Sequence, residues 1–266
     1  ANHGPLHWRG DRTAALEGGD PFDVLGGFKR FDGAFVDLLG REAPLSRDEM
    51  EAFGKFVLQI TYPPNPNRNL DNGLTAHQAA GQNIYMTELL DSGFASCNDC
   101  HLINEEAGLF GTNRLTSIPP GFSIDLKIPH MRNAYTKIGK FGQPKTENTV
   151  PGDDIYMGDQ IRGYGFQHDG AVDTLFRFHN APASLFVSNE QRLKVVDFLF
   201  VFPTNLKPMI GQQVTVSNQS SGKESEKVNL MAAAADAGHC ELVVKGVVDG
   251  RQRGWLRLNN GWFQSD

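Results

Sequence analysis

The run Cys97-Asn98-Asp99-Cys100-His101 constrains this chain more than any other feature. Two thiols three residues apart can add across the two vinyl groups of a haem, and a histidine directly after the second is then placed under the iron as its fifth ligand. A bare CxxC also serves as half of a zinc site or as a dithiol redox pair. Zinc needs two further ligands, normally a second CxxC or an HxxxH, and Cys240 is the only other cysteine. A thioredoxin-like pair follows a hydrophobic strand in a βαβ setting, whereas the residues before Cys97 read as a helix. The pentapeptide therefore predicts one covalently attached haem c, held by Cys97 and Cys100 with His101 as proximal ligand.

Composition bounds the remainder. With 266 residues, 39% hydrophobic and 21% charged, and a formal net charge of −6, the chain reads as a globular protein of one or two domains. The 29 Gly and 14 Pro beside 18 Phe predict many loops and an aromatic core. Acidic residues number 31 against 25 Lys and Arg, with no basic cluster, which argues against a nucleic-acid partner. The longest apolar run, around Val195 to Phe202, is far short of the ~20 residues that cross a bilayer, so no transmembrane segment is expected. No charged-then-apolar leader opens the sequence, which reads as a start after processing or as a fragment.

Two helices bracket the motif. The run from Thr75 to Leu90 is rich in helix formers, with Thr75 as N-cap and Ala79, Ile84 and Met86 to Leu90 apolar. The run from Asn189 to Phe202, capped by Ser188 and stopped by Pro203, places Leu193, Val196, Leu199 and Phe200 along one face. In c-type cytochromes a first helix of this kind crosses a C-terminal helix with a small residue and an aromatic at the crossing. Gly81 and Tyr85 have that i, i+4 spacing.

Between these helices, Lys127-Ile128-Pro129-His130-Met131-Arg132-Asn133 and Gly165-Phe166-Gln167-His168-Asp169-Gly170-Ala171-Val172-Asp173-Thr174-Leu175 resemble two stretches of the bacterial dihaem cytochrome c peroxidase and MauG superfamily, P-x-L-R-N and H-D-G-x-x-x-T-L. The likeness covers about residues 75 to 208, with Met131 where the family has Leu. It implies a mainly α cytochrome c-like haem module with long loops, in which Arg132 bonds a haem propionate and the HDG turn, with His168, lies near the haem edge. A surface ion pair is the plainer role for Arg132, and a hydrogen-bonded turn for His168.

A faint internal repeat also runs through the chain. His7-Trp8-Arg9-Gly10 is similar to His130-Met131-Arg132-Asn133, Asp32-Gly33-Ala34-Phe35 to Asp169-Gly170-Ala171-Val172, and Ser46-Arg47-Asp48-Glu49 to Ser188-Asn189-Glu190-Gln191. A helix over 50–60 and the helix over 192–202 each run into a Pro-bearing segment. The expected organisation is the back part of a truncated first cytochrome-like module over 1–74, the haem module over 75–210, and a polar linker with a small β-rich C-terminal segment over 211–266. Within that segment a short helix is expected over Val228 to Ala237, followed by strands over Glu241 to Val248 and Arg253 to Leu258 joined by a turn at Asp249-Gly250. The RGD at Arg9 to Asp11 is too short to carry a meaning.

The sixth iron ligand divides the functional readings. The family places it on the segment after HDG, about one helical turn beyond the position of His179, so His179 on a helix with Leu175 and Pro182 is one candidate. Met131 and His130 are others, at a helix entry whose cytochrome equivalent packs on the distal side, and an iron with no sixth protein ligand is the remaining reading. His77, His239 and His3 are expected to face solvent. Function is expected to be electron transfer within a larger exported haem protein, exchanging electrons with a redox partner or neighbouring haem domain in the bacterial periplasm or outside the cell. The alternative is a haem peroxidase or oxidase of the dihaem type, which needs two haems where this chain has one CxxCH.

Overall fold

The computed structural model describes residues 20, 23–113, 116–117, 126–139, 163–168, 170–181 and 183–265. Three short helices open it: α1 (Val24–Lys29), α2 (Asp32–Asp37) and α3 (Arg47–Val57). Ser46 caps α3 and exchanges hydrogen bonds with Glu49, a capping box. Then come α4 (Ala76–Thr87), α5 (Cys97–Cys100), the two-residue strands β1 (Ile103–Asn104) and β2 (Leu109–Phe110), which pair antiparallel, and β3 (Thr116–Ser117) with β4 (Leu126–Lys127). A 3-10 turn (Ala134–Lys137), α6 (Leu175–Phe178) and α7 (Asn189–Phe200) complete this part. Helix α8 (Gly222–Asp236) leads into a sheet of β5 (Val243–Val248), β6 (Arg251–Arg257) and β7 (Phe263–Ser265).

The core is built where α4 crosses α7. A Cβ at Gly81 would stand 1.9 Å from the carbonyl oxygen of Lys194 and 3.1 Å from Phe198 Cβ, so hydrogen alone lets the two backbones touch. One turn on, the Tyr85 ring meets Phe198 and Phe202 edge-on, with centroids 5.4 and 5.8 Å away. Pairs of this geometry add about 0.5–1.5 kcal/mol each beyond area burial. Val195, Val196, Phe198 and Leu199 form the buried face of α7, while Leu193 is exposed. The buried stripe therefore lies rotated from the one the sequence suggested.

Residues 62–72 dock on the end of α7. Asn65 Nδ2 donates to the carbonyls of Phe200 and Phe202 at 2.9 and 3.0 Å, and Arg68 Nη1 donates to that of Val201 at 2.9 Å. These carbonyls have no partner further along a helix that stops before Pro203, so the side chains satisfy what the helix cannot. Thr204 Oγ donates back to the Pro63 carbonyl at 2.8 Å.

The expectation of a mainly α fold is corrected. Helix covers 36% and strand 13%, in short elements joined by irregular backbone. The physical reason is the density of glycine and proline between α5 and α7, where two-residue ladders replace helical bonding. The segment 211–227 is also less of a linker than its polar composition suggested, because α8 begins at Gly222, behind a Ser221/Glu224 capping box. The C-terminal turn is as expected, with Asp249 and Gly250 both at positive φ (50° and 72°), the two-residue geometry that matches strand twist. Strand β7 was not foreseen. Arg257 joins this sheet to α8 through paired bonds to Asp236 at 2.8 and 2.9 Å.

Of the matched repeat segments, Ser46 and Ser188 each cap a helix by accepting from the backbone three residues on. Asp32-Gly33 opens α2, whereas Gly170 sits at φ 73° in a turn closed by the Phe166–Val172 bridge. His3, His7 to Asp11, Asp169 and Pro182 lie outside the described residues.

Replacing Gly81 by Val forces the α4–α7 backbones apart. Urea unfolding of the variant is expected to show a loss of about 3 kcal/mol or more, at the upper end of overpacking effects. A loss below about 1 kcal/mol would contradict the crossing described here.

Candidate functional site

The CxxCH run is a single helical turn. Ser96 N–H and Oγ–H both donate to Asp99 Oδ2, at 2.7 and 2.9 Å, and His101 N–H closes the turn on the Cys97 carbonyl at 2.8 Å. One turn brings Cys97 and Cys100 to the same side with His101 next in line. All three cysteines are free thiols. Burial pushes Cys97 up to about 11 and raises Cys100, so both stay protonated at neutral pH.

His101 is fixed from behind. Its Nδ1 lies 2.9 Å from the Gly111 carbonyl and 3.0 Å from that of Pro129. A carbonyl accepts only, so Nδ1 carries the proton and Nε2 keeps its lone pair, the tautomer that ligates metal through Nε2. Burial lowers the proton affinity of the ring, against these two bonds that raise it, and Lys137 and His168 lower it further. Tyr85, from the helix crossing, donates its hydroxyl to the His101 carbonyl. The core and the candidate ligand are thus connected by a single side chain.

Two loops hold the carbonyls in place. Gly111 N–H and Thr112 N–H return to the Leu102 carbonyl at 2.9 and 3.2 Å, Met131 N–H bonds the Phe110 carbonyl at 3.0 Å, and Thr112 Oγ donates to that of Ile128 at 2.8 Å. Gly111 has φ 80°, and a Cβ there would lie 2.6 Å from Met131 Cγ. Met131 therefore packs against the residue whose carbonyl accepts from Nδ1, behind His101.

His130 stands beside Pro129 on that same side. Its Nε2 is 2.7 Å from Tyr62 Oη, and its Nδ1 is buried with no partner. Burial, then Arg132, Lys137 and Lys127, hold it down to about 2. Arg132 is not at the surface: it is 3% exposed, donates to Asn205 Oδ1 at 2.5 Å, and lies over the rings of Tyr62 (4.2 Å) and Phe110 (5.1 Å). His168 Nε2 bonds the Lys127 carbonyl at 2.8 Å, in agreement with the turn role.

His179 lies elsewhere, as the C-cap of α6. The helix ends at Phe178, shorter than expected. The ring is buried between Phe178 and Phe186, with centroids at 5.8 and 5.0 Å, and its Nδ1 has no partner. Burial, the Arg192 guanidinium and then His101 push it down to about 3. It is neutral at pH 7.

Sequence reasoning missed Lys127 and Lys137. Burial holds Lys127 down to about 8, with Arg132 adding to the effect, and lowers Lys137. No carboxylate among the described residues forms an ion pair with either ammonium. The spacing Lys127, Arg132, Lys137 was the available signal, but nothing in the sequence said that these cations fold inward. His77 is exposed, as expected, and its Nδ1 bonds Asp197 Oδ2 at 2.8 Å, tying α4 to α7, whereas His239, expected in solvent, is half-buried. Among the described residues no group of three or more His, Cys, Asp or Glu is arranged to hold a metal ion. No helix there is long and apolar enough to cross a membrane.

Comparison with family models, curated proteins and solved structures found no match.

Iodoacetamide at pH 8 is expected to label Cys97 at least tenfold more slowly in the folded haem-free chain than in urea, since its thiolate is suppressed. Equal rates would place Cys97 in water. Acid sensitivity follows from His179. Unfolded, its pKa is about 6.5, so the unfolded chain binds the extra proton first. The stability of the neutral ring is complete above that value and is lost as pH falls toward about 3. The haem-free His179→Phe variant should lose less stability between pH 7 and 4 than the parent; identical slopes would refute the burial.

Proposed function

We propose that this chain transfers electrons through one covalently bound c-type haem. The observation that carries the reading is the fixed His101: Nδ1 held by two carbonyls and Nε2 left as a ligand, one residue after two thiols on a single turn. An iron in a macrocycle takes four of its bonds from the ring, so one or two protein ligands suffice.

The residues present fit such a group on further grounds. His179 supplies a buried neutral imidazole with an orphaned nitrogen, within electrostatic range of His101. Met131 and His130 pack on the Nδ1 side of His101, away from the face that would meet iron. In this reading His179 is the residue that would hold the iron together with His101. Lys127 and Lys137, which form no ion pair with a carboxylate among the described residues, would together with the nearby Arg132 offset the two negative propionates that a haem carries. A haem held there supplies a one-electron Fe(III)/Fe(II) couple. The chain's own residues hold the ligands still, keep both imidazoles neutral and exclude water. A closed shell reorganises little between oxidation states, which suits outer-sphere transfer better than peroxide chemistry.

Attachment outside the inner membrane makes the protein exported, and a neighbouring haem domain or separate redox protein its partner. The test is spectroscopic. After expression with c-type maturation, a pyridine haemochrome should give one haem per chain, lost in Cys97→Ala/Cys100→Ala. The oxidised protein should be low-spin without the weak red band of methionine ligation. His179→Ala should turn it high-spin, while Met131→Leu leaves it low-spin. A parent protein that is high-spin and takes up peroxide would overturn the carrier reading in favour of a peroxidase.

A further inference from the structure

A patch of apolar side chains faces water beside the cysteines. Phe94 is 88% and Val187 85% exposed, with Leu89 and Leu185 about half exposed. They come from two segments fastened together. Asp91 bridges to both Ala95 and Ser184, Leu185 N–H bonds the Leu90 carbonyl at 2.9 Å, and Ser92 N–H bonds that of Ala183 at 2.8 Å. A Cβ on Gly93 would touch Leu185 Cδ1 at 3.7 Å, so the two strips form one surface. Val187 N–H is held by Gln191 Oε1 at 2.8 Å, which fixes the far end to α7. Cys97 starts its helix two residues after Ala95, so the patch borders the thiols.

The first of the two segments carries charge of one sign. From residue 69 to 113 the chain holds six acids and no Lys or Arg. Glu88, Asp91 and Asp99 are exposed around the patch. On the second segment Lys194 is paired with Glu190 at 2.7 Å, and Arg192, still charged, is turned onto Asn180 and stacked 4.4 Å from the Phe176 ring.

We propose that the patch of Leu89, Phe94, Leu185 and Val187, rimmed by Glu88, Asp91 and Asp99, is the docking surface for a redox protein whose own apolar contact is ringed by lysines or arginines. The partner role rests on the electron-transfer reading above. Complementary charge steers the encounter, and the apolar centre holds the short-lived complex. The exchange moves one electron: the partner's centre is oxidised as this chain's iron is reduced, or the reverse. A second copy of the chain would set acid against acid, and an anionic membrane would be repelled in the same way.

The probe is a small basic cytochrome c whose exposed haem edge is ringed by lysines, mixed with the haem-loaded chain in a stopped-flow instrument. The second-order rate should fall about tenfold or more between low and physiological salt. Glu88→Lys and Phe94→Ser, at side chains free of hydrogen bonds, should each slow it about fivefold at low salt. Glu241→Lys makes the same charge change in the C-terminal segment and should alter it less than about twofold. A haem-loaded chain whose rate ignores salt, or responds to Glu241→Lys as much as to Glu88→Lys, refutes the docking surface and leaves the carrier reading intact. A chain without covalent haem refutes the carrier reading instead. In that case amide shifts on adding the reduced probe decide the surface: changes at residues 88–95 and 184–187 support it and their absence ends it. Sedimentation showing a dimer closed through this patch would also overturn the proposal.

Discussion

Contact between the backbones of α4 and α7 at Gly81 sets the position of everything else in the central part of the chain. Because no side chain separates the helices there, Tyr85 one turn later is driven into the aromatic cluster of Phe198 and Phe202. Its hydroxyl then reaches the His101 carbonyl. Steric closeness in the core is thus translated into the position of a side chain at the surface of the core. The end of α7 is held by the same economy: Asn65 and Arg68 take up carbonyls that the helix leaves unpaired, which draws residues 62–72 onto the module.

The histidine beside the cysteines depends on backbone rather than on other side chains. Two carbonyls, from Gly111 and Pro129, lie within reach of one ring nitrogen, and each belongs to a loop bonded to the other. Loops of this kind have no periodic pattern, yet they determine tautomer and orientation. Gly111 is at positive φ and Met131 presses against it, so a side chain at that position would dislodge both the turn and the carbonyl.

Charge is partitioned along the chain in a way that bears on both proposals. Residues 69–113 hold six acids and no Lys or Arg, with Glu88, Asp91 and Asp99 bordering the exposed Phe94 patch, whereas Lys127, Arg132 and Lys137 gather about His130 and Lys137 also acts on His101. Keeping Lys127 and Lys137 half-buried with no carboxylate ion pair among the described residues is costly unless an anion joins them. An exposed apolar surface with a one-signed rim has the corresponding demand from outside. The two halves of the site therefore call for different partners: an anionic group within and a cationic protein without.

The sequence by itself determined the local features whose physics is local. The caps at Ser46, Thr75 and Ser188, the helices that follow them and the Asp249-Gly250 turn are set by hydrogen bonds and dihedral preferences within a few residues, and each could be read directly. Cys97, Cys100 and His101 were legible because one helical turn fixes their spacing, and Gly81 with Tyr85 because a close crossing needs a small residue beside a large one. Tertiary structure alone decided the rest. Which face of α7 is buried, with Val195 and Phe198 inside and Leu193 outside, depended on the direction from which α4 arrives. The mainly α expectation failed because glycine- and proline-bearing connections close short local hairpins and irregular loops, too brief to leave a period in the sequence. His179, Met131 and His130 were equivalent as letters. Only the folding of Gly111 and Pro129 onto Nδ1 of His101 put two of them behind that ring and left His179 apart, buried in aromatic side chains.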